Sequence, residues 1–215
     1  MSRPVSCLPL GEGAVTLTLG DEISTDIHQT IRSIAAALGA APEDGILDVV
    51  PGYTTLSVFF DPQLTSFGLI RDRLLELHAS AGVGHHQPGR EWVIPVRYDG
   101  PDLADVASRT GLSTTEVIAR HSAPVYRVYL IGFVPGFAFL GELDPRLVVP
   151  RREAPRRRVA AGSVAIAGAQ TGIYPLDTPG GWHLIGRTTV KPFDLGREPA
   201  VLFGVGDRIR FEAIP

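Results

Sequence analysis

Hydrophobic residues follow two different periods along the first part of the chain. Apolar residues at every second position predict strands, and apolar residues at helical spacing predict helices. Segments of the first kind are Ala14–Leu19, Ile46–Val50 and Thr54–Phe60. Two segments are of the second kind. The first begins after a cap at Ser24 or Thr25 and ends near Gly39, and the second begins after Asp61-Pro62 and ends near Gly82. The order β-α-β-β-α predicts a ferredoxin-like α+β sandwich.

The periodic pattern stops at Gly82–Arg90, a glycine-rich and polar segment that is predicted to be a linker. Its adjacent histidines, His85 and His86, are expected to be solvated. Neighbouring residues of an extended segment point to opposite sides, and no Asp, Glu or Cys follows at ligand spacing. Trp92–Tyr98 then supplies a strand, either to the sandwich or to the segment that follows.

The second part of the chain begins with two short predicted helices and continues as strands and turns. The helices are Asp102–Arg109 and Thr114–His121, and Ser113 with Glu116 gives the second one a capping-box start. The better strand candidates are Tyr126–Phe133, Ser163–Ala167, Trp182–Thr188, Ala200–Phe203 and Arg208–Ala213. Short strands with no helix between them are typical of a closed barrel or a sandwich. We therefore predict two domains, α+β over residues 1–88 and mainly β over residues 89–215.

Composition excludes several classes of protein. The chain has 215 residues, a formal net charge of −3 and a sequence pI near 6.1, which gives no general attraction to nucleic acid or to anionic membranes. Cys7 is the only cysteine, so no intramolecular disulfide forms. Neither a signal peptide nor an apolar run of the ~20 residues that a spanning helix needs is recognisable. We expect a cytoplasmic protein without a metal site.

Standard catalytic and nucleotide-binding motifs are missing from the sequence. There is no G-x-S-x-G nucleophile elbow, no Walker A loop and no Rossmann glycine pattern. A group of arginines, Arg151, Arg152, Arg156, Arg157 and Arg158, is predicted to form a solvated loop with one arginine turned inward. The planar fork of arginine suits a carboxylate, and Arg158 and Arg187 are the candidates for that contact.

The segment Val159–Thr189 is dense in glycine and carries polar and aromatic residues between the glycines. Such a segment either supplies the turns of a β-rich domain or lines a small-molecule pocket. A second group, which includes His121, Tyr126 and Phe137, surrounds the predicted strand Tyr126–Phe133. These residues either fill the barrel core, with His121 bonded to the last carbonyls of its helix, or contribute to the same pocket.

The same segments resemble a known family. HSAPVYRVYLIGFVPGFAFLGELDPRL and PRREAPRRRVAAGSVAIAGAQTGIYPLDTPGGWHLIGRT are similar to the family that comprises the B subunit of 5-oxoprolinase, the first subunit of allophanate hydrolase and KipI-like kinase inhibitors. The likeness extends over essentially the full length. It implies a ferredoxin-like N-terminal domain and a cyclophilin-like C-terminal barrel. The chain departs from the family pattern at Val125 and Ala138.

The resemblance also implies a reaction and partners. The reaction is the ATP-dependent opening of 5-oxoproline to glutamate, carried out with a homologous C subunit and a LamB/YcsF-type A subunit. ATP is expected to contact the other subunits. The alternatives are an inhibitor of a sensor histidine kinase and a subunit of an allophanate or urea amidolyase system, while prolyl isomerase activity does not follow from a cyclophilin-like fold. The candidate substrate-binding residues are His121, Tyr126, Phe137, Arg158, Gln170, Thr171, Tyr174, Gly180, Gly181, Trp182 and Arg187, and no catalytic residue is assigned.

Overall fold

A computed structural model of the protein describes residues 5–41, 43–80 and 89–215. The chain divides into two units, residues 1–87 and 88–215. Most of the predicted linker, including His85 and His86, lies outside the described residues. Among the described residues, no helix combines the length and the apolar character needed to cross a membrane.

The first unit is a four-stranded antiparallel sheet with two helices. Its elements are β1 (Ser6–Pro9), β2 (Ala14–Thr18), α1 (Thr25–Ala40), β3 (Ile46–Pro51), β4 (Thr55–Phe60) and α2 (Phe67–Ser80). The strand order is β1-β2-β4-β3. Buried residues of the sheet, such as Leu17 and Val58, pack in one core with Ile31 and Ile34 of α1 and Leu74 of α2. The predicted β-α-β-β-α order is confirmed.

The strand at the edge of the sheet, beside β2, was not predicted. It is β1, which precedes the other strands, whereas the predicted strand Trp92–Tyr98 belongs to the second unit as β5 (Glu91–Arg97). The segment Ser6–Pro9 has only four residues and ends in proline, so it gives no readable alternation. Proline is tolerated there because an edge strand leaves part of its backbone unpaired.

The second unit contains a closed seven-stranded barrel. Its further elements are α3 (Leu103–Thr110), α4 (Thr114–Ser122), β6 (Val125–Ile131), β7 (Ala138–Gly141), a 3₁₀ turn (Pro145–Leu147), β8 (Arg156–Val159), β9 (Ser163–Ala167), β10 (Gln170–Ile173), β11 (Thr178–Gly180), β12 (His183–Arg187) and β13 (Arg208–Ile214). The order around the barrel is β10-β7-β6-β13-β5-β12-β9, and β8 pairs with β11 as a separate ribbon. The α+β class with a closed barrel is therefore confirmed.

The last barrel strand closes the cylinder. All seven residues of β13 pair with β5 in parallel, and Arg208–Arg210 also pair with β6 in the antiparallel direction. The capping box at the start of α4 is present, with Ser113 accepting from the Glu116 amide and Glu116 accepting from the Ser113 amide.

Two predictions for the second unit are wrong. Ala200–Phe203 is not a strand: only Val201 forms a bridge, to Phe193. The run follows Pro199, which has no N–H to donate, and its backbone–backbone hydrogen bonds among the described residues go only to Pro192 and Asp194 of the preceding loop. The arginine segment is not simply a solvated loop, because Arg156–Val159 forms β8 against β11.

Candidate functional site

A cleft with aromatic walls lies on the barrel unit and encloses about 200 Å³. We call it the aromatic cleft. It is lined by Phe133, Phe137, Phe139, Arg151, Pro155, Tyr174, Pro179, Gly180, Gly181 and Trp182. Apolar walls with a few polar groups are typical of small-molecule sites.

Phe137 is the centre of the aromatic wall. Its ring is buried and lies edge-on to Trp182 at a centroid distance of 5.5 Å and to Tyr174 at 5.2 Å. Phe139 is within 4.7 Å of the same ring. These rings come from the turn before β7, from β7 itself, from the residue after β10 and from the residue before β12. The barrel therefore brings together side chains that are far apart in sequence, and their edge-to-face contacts hold the wall rigid.

Glycine is required at position 180 for a steric reason. A Cβ atom there would lie 2.3 Å from the Tyr174 hydroxyl oxygen, well inside van der Waals contact. The backbone of β11 therefore packs closely against the phenol, which only a residue without a side chain allows. Burial raises the pKa of Tyr174, and a polar contact with the Trp182 amide and the charge of Arg151 oppose that rise. Tyr174 thus presents a neutral hydroxyl.

Phe133 forms the outer lip of the aromatic cleft in an unusual backbone conformation. Its φ is +69°, in the left-handed region that bulky residues rarely adopt. The ring is 63% exposed and makes an edge contact with Phe137 at 5.7 Å. Strained backbone that places an apolar side chain in solvent is often found at ligand sites.

A buried carboxylate, Asp102, binds two arginines of the segment that also carries Arg151. Its side chain is 5% exposed, and Oδ1 accepts from Arg152 at 3.0 Å and from Arg156 at 2.6 Å, while Oδ2 accepts from the Leu184 amide at 2.7 Å. Burial raises the pKa of Asp102, but the hydrogen bonds from Arg156 and Leu184 outweigh it, so the net shift is downward. Asp102 precedes α3 and makes no side-chain cap there; its oxygens connect the arginine segment to β12 instead.

The structure brings together some of the predicted site residues. Phe137, Tyr174, Gly180, Gly181 and Trp182 all line the aromatic cleft. These five come from the two sequence segments that were candidates for a pocket. Their shared location supports the pocket hypothesis for both segments.

Three other candidates belong to the interior of the barrel unit, and two of them form a hydrogen-bonded chain. His121 is fully buried and stacks on Phe211 at 4.7 Å. Because the Thr171 hydroxyl donates to the Ala165 carbonyl at 3.0 Å, its oxygen accepts from His121 Nε2 at 2.7 Å, and His121 Nδ1 accepts from the Tyr98 hydroxyl at 2.7 Å. The imidazole is therefore neutral, and burial lowers its pKa to about 3.

Tyr126 is the third of these candidates, and its hydroxyl donates to the His121 carbonyl at 2.8 Å. Tyr126, His121 and Thr171 all lie outside the lining of the aromatic cleft. Gln170 lies at the start of β10, opposite Ala167 of β9, and it too is outside that lining.

The two predicted carboxylate-binding arginines are engaged in surface ion pairs. Arg158 has a 79% exposed side chain and contacts Asp177, and Arg187 has a 64% exposed side chain and contacts Asp99 at 2.6 Å. Neither lines the aromatic cleft.

Sequence reasoning missed four contributors to this region: Asp102, Phe133, Phe139 and Arg151. The prediction of one inward arginine is also wrong, because Arg152 and Arg156 both turn to Asp102. Both arginines donate to the same oxygen of the carboxylate, Oδ1. Within the residues that the structure describes, no three His, Cys, Asp or Glu side chains are grouped as metal ligands.

Comparison with known proteins identifies the family. The model of the carboxyltransferase domain, subdomains C and D, matches residues 5–203, so the chain belongs to this family. The chain is 38% identical to the B subunit of 5-oxoprolinase from Bacillus subtilis (strain 168), over 95% of this chain and 91% of that protein. It is 40% identical to the B subunit of 5-oxoprolinase from Haemophilus influenzae, over 96% of this chain and 97% of that protein.

A crystal structure of the protein TTHA0988 superposes on this chain with a TM-score of 0.84 and 46% sequence identity. It covers 94% of this chain, which itself corresponds to 40% of that longer protein. The predicted resemblance to the family of the 5-oxoprolinase B subunit is confirmed.

Proposed function

We propose that this chain is the B subunit of a 5-oxoprolinase and takes part in the ATP-dependent opening of 5-oxoproline to glutamate. The supporting observation is its similarity to proteins named as the B subunit of 5-oxoprolinase, which extends over more than nine-tenths of both chains. The proposed partners are a homologous C subunit and a LamB/YcsF-type A subunit. The barrel contributes to the substrate site, and the complex as a whole performs the hydrolysis.

The aromatic cleft is the proposed location of the cyclic amide. The rings of Phe133, Phe137 and Trp182 line this cleft with an apolar surface that suits a small, nearly flat ring. The Tyr174 hydroxyl is placed to hydrogen-bond an amide oxygen, on which negative charge grows as the ring opens. Burying the amide away from water strengthens such a hydrogen bond.

Arg151 is the proposed ligand of the substrate carboxylate. It lines the aromatic cleft, and none of the carboxylates among the described residues forms an ion pair with it. A guanidinium fork without a protein partner is suited to bidentate binding of a carboxylate. Arg151 therefore takes the role that the sequence suggested for Arg158 or Arg187.

The test is reconstitution. This chain is mixed with its partner subunits, and 5-oxoproline-dependent ATP hydrolysis is measured. Omission of the chain should abolish that activity. If the partners alone hydrolyse ATP just as fast in response to 5-oxoproline, the proposal is wrong.

The location of the amide is tested separately with Phe133→Ala. Phe133 is mostly exposed, so its loss should not disturb folding. Removing one aromatic contact should raise the KM for 5-oxoproline roughly three- to tenfold, since such contacts contribute about 0.5–1.5 kcal/mol. The KM for ATP should stay unchanged. The matched control is Leu195→Ala, which removes an 84% exposed apolar side chain that does not line the aromatic cleft. An equal effect of both changes would contradict the assignment.

A further inference from the structure

A second cleft in the barrel unit adjoins the aromatic cleft and encloses about 330 Å³. It is lined by Arg109, Pro150, Arg151, Arg152, Glu153, Ala154 and His183. We call it the basic cleft. Arg151 lines both clefts, so a group bound in one would lie close to a group bound in the other.

Positive charge exceeds negative charge around the basic cleft. Arg109 donates to Asp105 at 2.8 Å, which balances that pair. Arg152, in contrast, shares the single carboxylate of Asp102 with Arg156. Arg151 has no ion pair among the described residues, and Glu153 is exposed to solvent. This surplus of positive charge occurs in a chain with a formal net charge of −3.

Polar atoms in the wall of the basic cleft lack partners. Arg152 Nε and His183 Nδ1 are buried and make no hydrogen bond. His183 Nε2 must donate to the Pro150 carbonyl, 2.9 Å away, because a carbonyl only accepts. Nδ1 of the same ring lies 3.5 Å from Asp105 Oδ2, too far for a normal hydrogen bond. Unpaired buried polar groups are rare in folded proteins and call for an explanation.

We propose that the basic cleft binds a phosphate group. A phosphate dianion presents several acceptor oxygens and can engage more than one guanidinium, and three arginines, Arg109, Arg151 and Arg152, line the basic cleft. A carboxylate has only two oxygens, both in one plane, and so offers fewer acceptor positions than a phosphate. The phosphate belongs either to free inorganic phosphate or to a nucleoside triphosphate. If the source is a nucleoside triphosphate, the shared Arg151 places the phosphoryl donor next to the proposed amide site. This role as phosphoryl donor rests on the proposed function, whereas phosphate binding by itself does not.

The proposal is tested by isothermal titration of the purified full-length chain, without partners, at low ionic strength. Inorganic phosphate, ATP and acetate are titrated separately. Saturable binding of phosphate or ATP is expected, with acetate at least tenfold weaker. Tighter binding of ATP than of phosphate identifies a nucleotide as the source, and equal binding identifies free phosphate. Acetate binding as tight as phosphate binding would overturn the proposal.

Variants locate the binding. Arg109→Gln and Arg151→Gln should each weaken phosphate binding roughly ten- to a hundredfold, the usual loss for a charge-assisted contact. Arg158→Gln is the matched control: it removes the same charge from an exposed ion pair outside both clefts and should change binding less than twofold. If Arg158→Gln weakens binding as much as Arg109→Gln, or if neither phosphate nor ATP binds saturably, the proposal is wrong.

Phe133→Ala separates this proposal from the amide site, because Phe133 lines only the aromatic cleft. It should leave phosphate binding by the isolated chain unchanged, even if the reconstituted complex shows no 5-oxoprolinase activity. Arg109 has a 51% exposed side chain, so its replacement should not prevent folding; an unchanged thermal midpoint confirms this. If Phe133→Ala loses as much phosphate affinity as Arg109→Gln, the claim that the phosphate site is separate from the amide site is wrong.

Discussion

Replacement of Asp102 by asparagine tests how much one buried carboxylate contributes to the stability of the fold. The change keeps the size of the side chain and removes its charge. Arg152 and Arg156 then share only a neutral amide, and the Leu184 amide loses a charged acceptor. Because these groups come from the arginine segment and from β12, the loss should weaken the connection between that segment and β12.

The size of the effect follows from burial. Removing one partner of a buried ion pair costs about 3–5 kcal/mol. The side chains of Arg152 and Arg156 remain 33% and 24% exposed, so water partly solvates the charges that are left. We therefore expect Asp102→Asn to lower the free energy of unfolding by about 2–4 kcal/mol, which corresponds to a midpoint about 4–16 °C lower for a chain of this size.

The assay is urea denaturation at neutral pH, followed by tryptophan fluorescence, with thermal unfolding as a second measure. Asp177→Asn is the matched control because it breaks an exposed arginine pair, with Arg158, and should change the midpoint far less. Adding Arg156→Gln to Asp102→Asn removes one unbalanced charge and should restore part of the lost stability. The reasoning is refuted if Asp102→Asn is no less stable than Asp177→Asn.

Three further predictions concern single residues. The pKa of His121 falls from 6.5 to about 3 on folding, so the unfolded chain binds the proton more tightly than the folded chain. The contribution of neutral His121 to the free energy of unfolding is complete above pH 6.5 and declines as the pH falls toward 3. At pH 5 it is about 2 kcal/mol smaller. The pH dependence of urea unfolding should therefore flatten in His121→Gln. Gly180→Ala should lower the thermal midpoint and the 5-oxoproline-dependent activity, because its Cβ meets the Tyr174 hydroxyl; an unchanged midpoint would contradict that contact. Arg187→Lys should change neither KM nor midpoint measurably, as an exposed ion pair contributes at most about 1 kcal/mol; a large rise in KM would restore its role as a substrate ligand.

Local patterns were sufficient to predict much of the fold. The helices α1 to α4 and the strands β2 to β4 were readable because each has a clear hydrophobic period or a capping signal. Strands β7, β8, β10 and β11 were not, since each has only three or four residues and contains glycine, proline or several charges. Such strands form because the barrel and its ribbon supply partners, and those partners are distant in sequence.

The candidate site was predictable only where sequence neighbours stay together. Tyr174, Gly180 and Trp182 belong to one glycine-rich segment and were found. Asp102 was read as the start of a helix, and its two arginine partners lie 50 and 54 residues further along. Nothing in the sequence distinguishes Arg151 from its neighbours, because its importance comes from the cleft walls on either side of it.

The position of β13 between β5 and β6 has a consequence for how the protein is made. During synthesis, β5 and β6 leave the ribosome long before β13, yet neither has its full set of neighbours until β13 arrives. Until β13 has been synthesised, the barrel lacks the hydrogen bonds that β13 makes with β5 and β6, whereas every described strand and helix of the first unit precedes residue 81 in the chain. The two units should consequently acquire protease resistance at different chain lengths, the first before the second.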